Sequence, residues 1–155
     1  MATITGPLQP GDKKIVGEAL QGALIDLLDL SLLGKQAHWN VIGRNFRQIH
    51  LHLDEIVGFA RAHADTVAER AVALDITPDG RASAIAGTTK VPQLDSGYLD
   101  VDKVVAAMTD ILESIGRRMR ERVDATAEAD PVTQDIFIAV TQDVEKHHWM
   151  MQAQR

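Results

Sequence analysis

Hydrophobic residues recur at intervals of three and four along most of the chain, and no segment keeps the strict alternation of a half-buried strand. The first run extends from about Asp12 to Trp39, with Ile15, Leu20, Leu24, Leu27, Leu28 and Leu32 on the repeat. Gly43 marks a short turn, and a second helical run covers roughly Asn45 to Leu74 before Pro78-Asp79-Gly80 closes it. The third spans Val101 to about Ala127 on Val104, Val105, Met108, Ile111, Leu112, Ile115 and Met119. The fourth begins at Pro131, a good first-turn residue, with Asp130 as its expected N-cap. It continues through Ile136, Val140 and Val144 to the end.

The connections are unequal. The first is tight, whereas Ile76 to Asp100, with Pro78, Pro92 and three glycines, is long for a bundle link. A short helix around Arg81 to Ala86 is expected inside it. One tight hairpin and one long middle link predict an all-α, ferritin-like four-helix bundle with a crossover between helices two and three. At 155 residues the chain is one domain, 1–155, with residues 1–11 expected as a flexible N-terminal segment.

Composition narrows the chemistry. The absence of cysteine removes disulfide frameworks, thiolate metal sites and cysteine nucleophiles. No stretch reaches the roughly 18 to 20 apolar residues of a membrane span, and the start lacks the pattern of an export signal, so a cytoplasmic protein with no membrane partner is expected. The formal net charge of −6 suits cations better than phosphates.

The informative stretch is His38 to Glu69. On the second helix His50, Asp54, Asp65 and Glu69 are spaced 4, 11 and 4 apart. At about 100° per residue these steps advance by about 40°, 20° and 40°, so all four lie on one stripe about 100° wide. Asp54 and Asp65 are nonetheless about 16 Å apart along the axis, and metal–oxygen bonds of about 2 Å cannot bridge that distance within one helix. The pairs meet if two copies of the helix pack antiparallel about a two-fold axis near Phe59 and Ala60. Gly58, Ala60, Ala62 and Ala64 would permit close approach there. His38, six residues before Arg44 as His50 is six after it, comes beside His50 across the hairpin. One subunit then offers His38, His50 and Asp54, its partner Asp65 and Glu69. Imidazole with carboxylate is a fair ligand set for Fe(II), and also for zinc and copper.

The run K-Q-A-H-W-N-V-I-G-R-N-F-R-Q-I-H-L-H-L-D-E, followed eleven residues after Asp54 by D-T-V-A-E-R, closely resembles the Dps family, DNA-binding proteins from starved cells. The closing E-K-H-H-W-M also looks like that family's fourth helix, so the resemblance covers nearly the whole chain. It implies that His38, His50, Asp54, Asp65 and Glu69 are both metal ligands and catalytic residues of an inter-subunit ferroxidase centre cycling Fe(II)/Fe(III). It further implies a dodecameric hollow homo-oligomer, hydrogen peroxide as oxidant, ferric mineral stored inside and protection against oxidative stress. Resemblance places Trp39 beside the iron, where it could shield radicals, although plain packing is the alternative. It also favours Asp135 and Glu145 as acids of an iron-entry pore, against an exposed acidic helix face.

Other histidines receive blander readings. His52 and His63 point to the far side of the second helix and are expected as surface or bundle-contact groups. Glu145-x-x-His148 is half of an intra-bundle di-iron motif, but no other glutamate stands three before a histidine, which disfavours a single-chain oxygenase site. Arg117, Arg118, Arg120 and Arg122 are read as a solvated face. Lys13 and Lys14 are offset by Asp12, and Arg155 stands alone after QAQ, so weak or absent DNA binding is expected. The alternative to an iron-oxidising store is a nucleoid-associated, DNA-protecting shell with little oxidase activity.

Overall fold

The computed structural model describes residues 3–155. Four long helices form the body: α1 (Pro10–Asn40), α2 (Phe46–Ala73), α4 (Val101–Thr126) and α5 (Pro131–Gln152). The crossover carries a short helix α3 (Ala82–Thr88), as expected. Two-residue strands β1 (Val41–Ile42) and β2 (Leu99–Asp100) pair in parallel, Val41 with Leu99 and Ile42 with Asp100. Strands this short leave no alternation to find in the sequence, yet they fix the topology. β2 returns the crossover to the α1–α2 corner, so α4 starts beside that corner and runs antiparallel to α1. The corner itself needs left-handed backbone, supplied by Gly43 (φ 118°) and Asn45 (φ 64°).

Helix α1 starts at Pro10, whose fixed φ and missing N–H suit a first turn. Residues 10 and 11 of the expected flexible segment 1–11 are therefore helical, while Met1 and Ala2 lie outside the described residues. Gly6 sits so close to the Leu74 backbone that a Cβ would collide with its carbonyl.

The core runs the length of the bundle, with Leu20, Leu27, Leu53, Ile56, Leu112 and Phe137 essentially inaccessible. Each such side chain stabilises the fold by about 1.5–3 kcal/mol relative to exposure. The apolar repeat of α1 is wider than its core face. Leu20, Leu24 and Leu27 are buried, but Ile15 and Leu32 are exposed, at 44% and 54%. Leu32 and Trp39, seven residues apart, share one outward side of α1.

Charged pairs lock the hairpins together. Asp26, buried on α1, accepts from Arg118 at 2.9 Å and Arg122 at 2.8 Å, so these two arginines are not the solvated face expected of them. A buried carboxylate must be paired, and α4 supplies both cations. Arg120 instead joins Glu145 across the α4–α5 hairpin. Asp29 holds the crossover by accepting from Thr89 and from Gln93. Asp130 occupies the N-cap position of α5, but its carboxylate accepts from Arg70 of α2 at 2.6 Å and from the Thr133 hydroxyl rather than acting as a simple cap. Among the described residues no helix is long and apolar enough to cross a membrane.

Candidate metal centre

The last turn of α1 and the first turns of α2 meet across the corner, and there the two expected histidine ligands come together. The His38 and His50 rings stack, with centroids 3.6 Å apart and planes inclined by 20°. Each ring is held by the other residue's backbone: His38 Nδ1 donates to the His50 carbonyl, and His50 Nδ1 to the His38 carbonyl, both at 2.8 Å. The His38 carbonyl belongs to the end of α1, where helix geometry leaves acceptors without an intrahelical partner. A carbonyl can only accept, so both Nδ1 atoms carry the proton. In the neutral rings both Nε2 lone pairs are then free. This is how a protein presents imidazole to a metal: the second nitrogen is tied down so that the first points one way.

Asp54 lies one turn beyond His50, with a carboxylate oxygen 3.3 Å from His38 Nδ1 and bonded to the Lys35 ammonium. The Lys35 hydrogen bond, aided by the two imidazoles, holds the Asp54 carboxyl below its ordinary range. Asp54 is exposed, as are Asp65 and Glu69 further along α2. No side-chain partner of Asp65 or Glu69 occurs among the described residues. One chain thus unites His38, His50 and Asp54, and leaves Asp65 and Glu69 apart from them on the same exposed face.

That face is open at its middle. Gly58 and Ala62 are exposed, and nothing lies within 4 Å of a Cβ placed on Gly58. Ala60 and Ala64 are instead buried in their own subunit's core, at 0% and 4%. They cannot be the small residues of a crossing, because they sit on the inward side of the helix. Trp39, next to His38, is 68% exposed. Asp135 is exposed on α5, whereas Glu145 is engaged by Arg120.

A second cluster lies on the opposite side of α2, where it packs on α5. His52 Nε2 is 3.0 Å from His147 Nδ1, and His147 stacks on Phe59 with centroids 4.8 Å apart. Glu55 adds a carboxylate, and its ligand atom and those of the two histidines lie within 4.8 Å of one another. Burial pushes the His52 imidazole below its ordinary range against the opposing charge of Glu55. Burial does the same to His147, helped by His52 and Lys146. Nearby His63 Nε2 is 2.7 Å from Asp143. Both His52 and His63 are therefore bundle contacts. Reading the sequence for E-x-x-H passed over the reversed spacing His52-x-x-Glu55. His147 is 95 residues away, so only the tertiary fold joins it to them. His148 takes no part: its Nε2 is enclosed without a hydrogen-bond partner among the described residues.

Comparison with known proteins identifies the family of the chain. The family model of the ferritin-like domain matches residues 17–155. DNA protection during starvation protein 2 of Deinococcus radiodurans is 35% identical over 142 residues, 92% of this chain, which spans only 59% of that relative's length. The DNA protection during starvation protein of Agrobacterium fabrum is 34% identical over 142 residues, covering 91% of this chain and 88% of the relative. Among solved structures, Mycobacterium smegmatis Dps superposes with a TM-score of 0.93 at 31% identity, over 99% of this chain and 94% of the other. Dps from Microbacterium arborescens, in its high iron form, gives 0.91 at 31% identity, over 98% of each chain.

Proposed function

Because the chain belongs to the Dps family of ferritin-like proteins, we propose that it is a ferroxidase that oxidises Fe(II), with hydrogen peroxide as oxidant, and stores the ferric product in a hollow homo-oligomeric shell. The observation that carries this reading is the stacked His38–His50 pair. Its two Nε2 atoms are freed by reciprocal backbone bonds, and the exposed Asp54 carboxylate stands beside it. Two imidazoles and one carboxylate make half of an iron site. Asp65 and Glu69 of the partner subunit complete it when the exposed faces of two α2 helices pack antiparallel, giving two identical sites per two-fold axis. Gly58 and Ala62 at the middle of that face leave room for the crossing. The exposed Leu32 and Trp39 on α1 offer apolar area to the same contact, and Trp39 beside the iron could also intercept a radical. A dodecamer, the assembly that the family resemblance implies, would repeat this two-fold contact in a closed particle.

Fe(II) is the substrate. Imidazole suits the ferrous ion, and hard carboxylate oxygens suit the ferric product, so the mixed set favours turnover over tight retention. The Asp54 carboxylate, held ionised beside Lys35, exchanges that ammonium for the incoming ion. Two Fe(II) ions lose one electron each to one peroxide; its O–O bond breaks, two protons are taken up and two waters form. No hydroxyl radical is released when both electrons arrive together. Ferric product then passes to the acidic interior, with Asp135 as the pore acid better placed to meet entering iron, since Glu145 is tied to Arg120.

The relatives are named for DNA protection, which raises the alternative of a nucleoid-associated shell. Removing Fe(II) and peroxide protects DNA without touching it, and a chain of net charge −6 fits that route better than coating a polyanion. The reading places the protein in the cytoplasm. Stopped-flow Fe(II) oxidation tests it: fast oxidation with peroxide, slower with dioxygen, and about half a peroxide consumed per iron are expected. Rates equal to those of buffer would overturn it.

A further inference from the structure

We propose a second metal site, built from His52, Glu55 and His147, that takes a divalent transition ion between α2 and α5. It shares no ligand with His38, His50 and Asp54, and lies on the opposite side of α2 from them.

The geometry is close to what a tetrahedral ion needs. With bonds of about 2.0–2.1 Å, two imidazole nitrogens on one ion stand about 3.3 Å apart. His52 Nε2 and His147 Nδ1 are 3.0 Å apart, so the pair opens by only a few tenths of an ångström. Without an ion, one N–H bridges these nitrogens. With one, both lone pairs turn to the metal and the proton moves to the far nitrogen of its ring. The rings are already directed: His147 is buried and stacked on Phe59, and His52 is half-buried in the same groove. Glu55, three residues after His52 on the same helix, is exposed, and its flexible side chain closes the remaining gap from the solvent side. Two imidazoles and one carboxylate leave a fourth position to water. Nitrogen donors select Zn(II)-class ions over Mg(II) and Ca(II), which take oxygen.

The location gives the ion a consequence. His52 and Glu55 belong to the α1–α2 hairpin and His147 to the α4–α5 hairpin, so one ion ties the two halves of the bundle. The adjoining His63–Asp143 bond already does this without metal.

The test uses the 155-residue chain carrying His50→Ala and Asp54→Asn, which removes two of the three ligands of the other histidine cluster and leaves this one intact. Zn(II) titrated against a chromophoric chelator should bind at one ion per chain and raise the thermal midpoint, while Mg(II) should do neither. Adding His147→Gln or His52→Leu should weaken binding about tenfold or more and abolish the thermal shift. Glu55→Gln, at the exposed position, leaves the fold alone and should weaken binding by a smaller factor. Zn(II) stoichiometry and affinity unchanged by all three substitutions would overturn the site, as would no binding in the starting background. Because that background lacks two of the five proposed ferroxidase ligands, and the readout is loss of Zn(II) binding on changing His52, Glu55 or His147, the outcome is separate from whether the protein oxidises iron.

Discussion

Helix α2 carries histidines and acids on two faces, and the faces are finished differently. On the side of His52 and His63 the polar groups meet partners from α5: His52 meets His147, His63 meets Asp143, and Arg70 meets Asp130 at the far end. On the side of His50 the imidazoles are tied by their Nδ1 atoms only, and Asp54, Asp65 and Glu69 face outward. A single chain can satisfy the first face and cannot satisfy the second. Under the proposed function the aligned groups of the second face are completed by another copy and an ion; in the single chain Asp65 and Glu69 are left to solvent.

The sharpest way to break this contrast is to remove one ligand from each half of the open face. His50→Ala and Asp65→Ala should each lower the rate of fast Fe(II) oxidation by more than about 100-fold, beyond the 10- to 100-fold typical of losing an outer-shell partner. Asp65→Ala should leave the thermal midpoint unchanged, since Asp65 is exposed, whereas His50→Ala gives up the bond to the His38 carbonyl and the stacking on His38 and should lower it modestly. Dissociating the two variants and reassembling them together should restore part of the activity, because a mixed dimer contains one intact site. Homogeneous activity loss with no recovery on mixing would place the whole site within one chain.

Much of the open face was legible in the sequence because it is local. His50, Asp54, Asp65 and Glu69 lie on one helix, where spacing alone gives direction, and His38 is reached by counting across one tight turn. The reciprocal bonds from Nδ1 to carbonyl were not legible, since they depend on how far α1 is unwound before β1. Nor was Lys35 as the partner of Asp54. The closed face was illegible for the opposite reason: His52 and His147 are brought together by the crossover and by β1–β2 pairing, which four residues without a periodic pattern determine. The arginines of α4 show the same limit. Their spacing describes a charged helix face, but the buried Asp26 that claims Arg118 and Arg122 is on another helix. Helix boundaries, by contrast, followed from Gly43, Pro78-Asp79-Gly80, Pro131 and the apolar repeat to within two or three residues.

The closed face should respond to mutation in stability and not in rate. His63→Ala removes a hydrogen bond to a half-exposed Asp143, and should cost about 0.5–1.5 kcal/mol in denaturant unfolding. Fe(II) oxidation at saturating peroxide should stay within about twofold of the parent. A large rate loss in a folded particle would mean that the two faces are coupled through α2, and the contrast would fail.

A smaller effect is expected from acid. Burial raises the Asp130 carboxyl, but the bonds from Arg70 and Thr133 outweigh it and hold the group below its ordinary range. A carboxyl depressed in the folded state contributes stability above its unfolded pKa of about 3.9, and loses it as pH falls through the folded value. Thermal midpoints measured from pH 5 downward should therefore fall, and Arg70→Gln should flatten part of that decline while lowering the midpoint at pH 7. Parallel curves for parent and variant would show that this pair does not set the acid limit.

The smallest expected signal concerns DNA, because the exposed Arg47 and Arg61 on the open face of α2 stand among Asp54, Asp65 and Glu69. The densest basic segment is Arg117 to Arg122, yet Arg118 and Arg122 are spent on Asp26 and Arg120 on Glu145, leaving Arg117. An arginine already paired with a carboxylate neutralises little phosphate charge and so releases few of the counterions condensed on DNA, whose release supplies most non-specific affinity. Lys35 of α1, beside the open face, is likewise held by Asp54. Near neutral pH and about 150 mM salt, this 155-residue chain should barely retard plasmid in a gel without added metal. Lowering the salt to about 20 mM should restore some retardation if residual basic groups matter at all. Disrupting the pairs should then strengthen it: Glu145→Gln frees Arg120 and removes one negative charge from every chain. Tight, salt-resistant retention by the parent protein would show that the ion pairs do not neutralise these arginines toward phosphate, and would move the DNA-coating shell ahead of the iron-oxidising one as the route of protection.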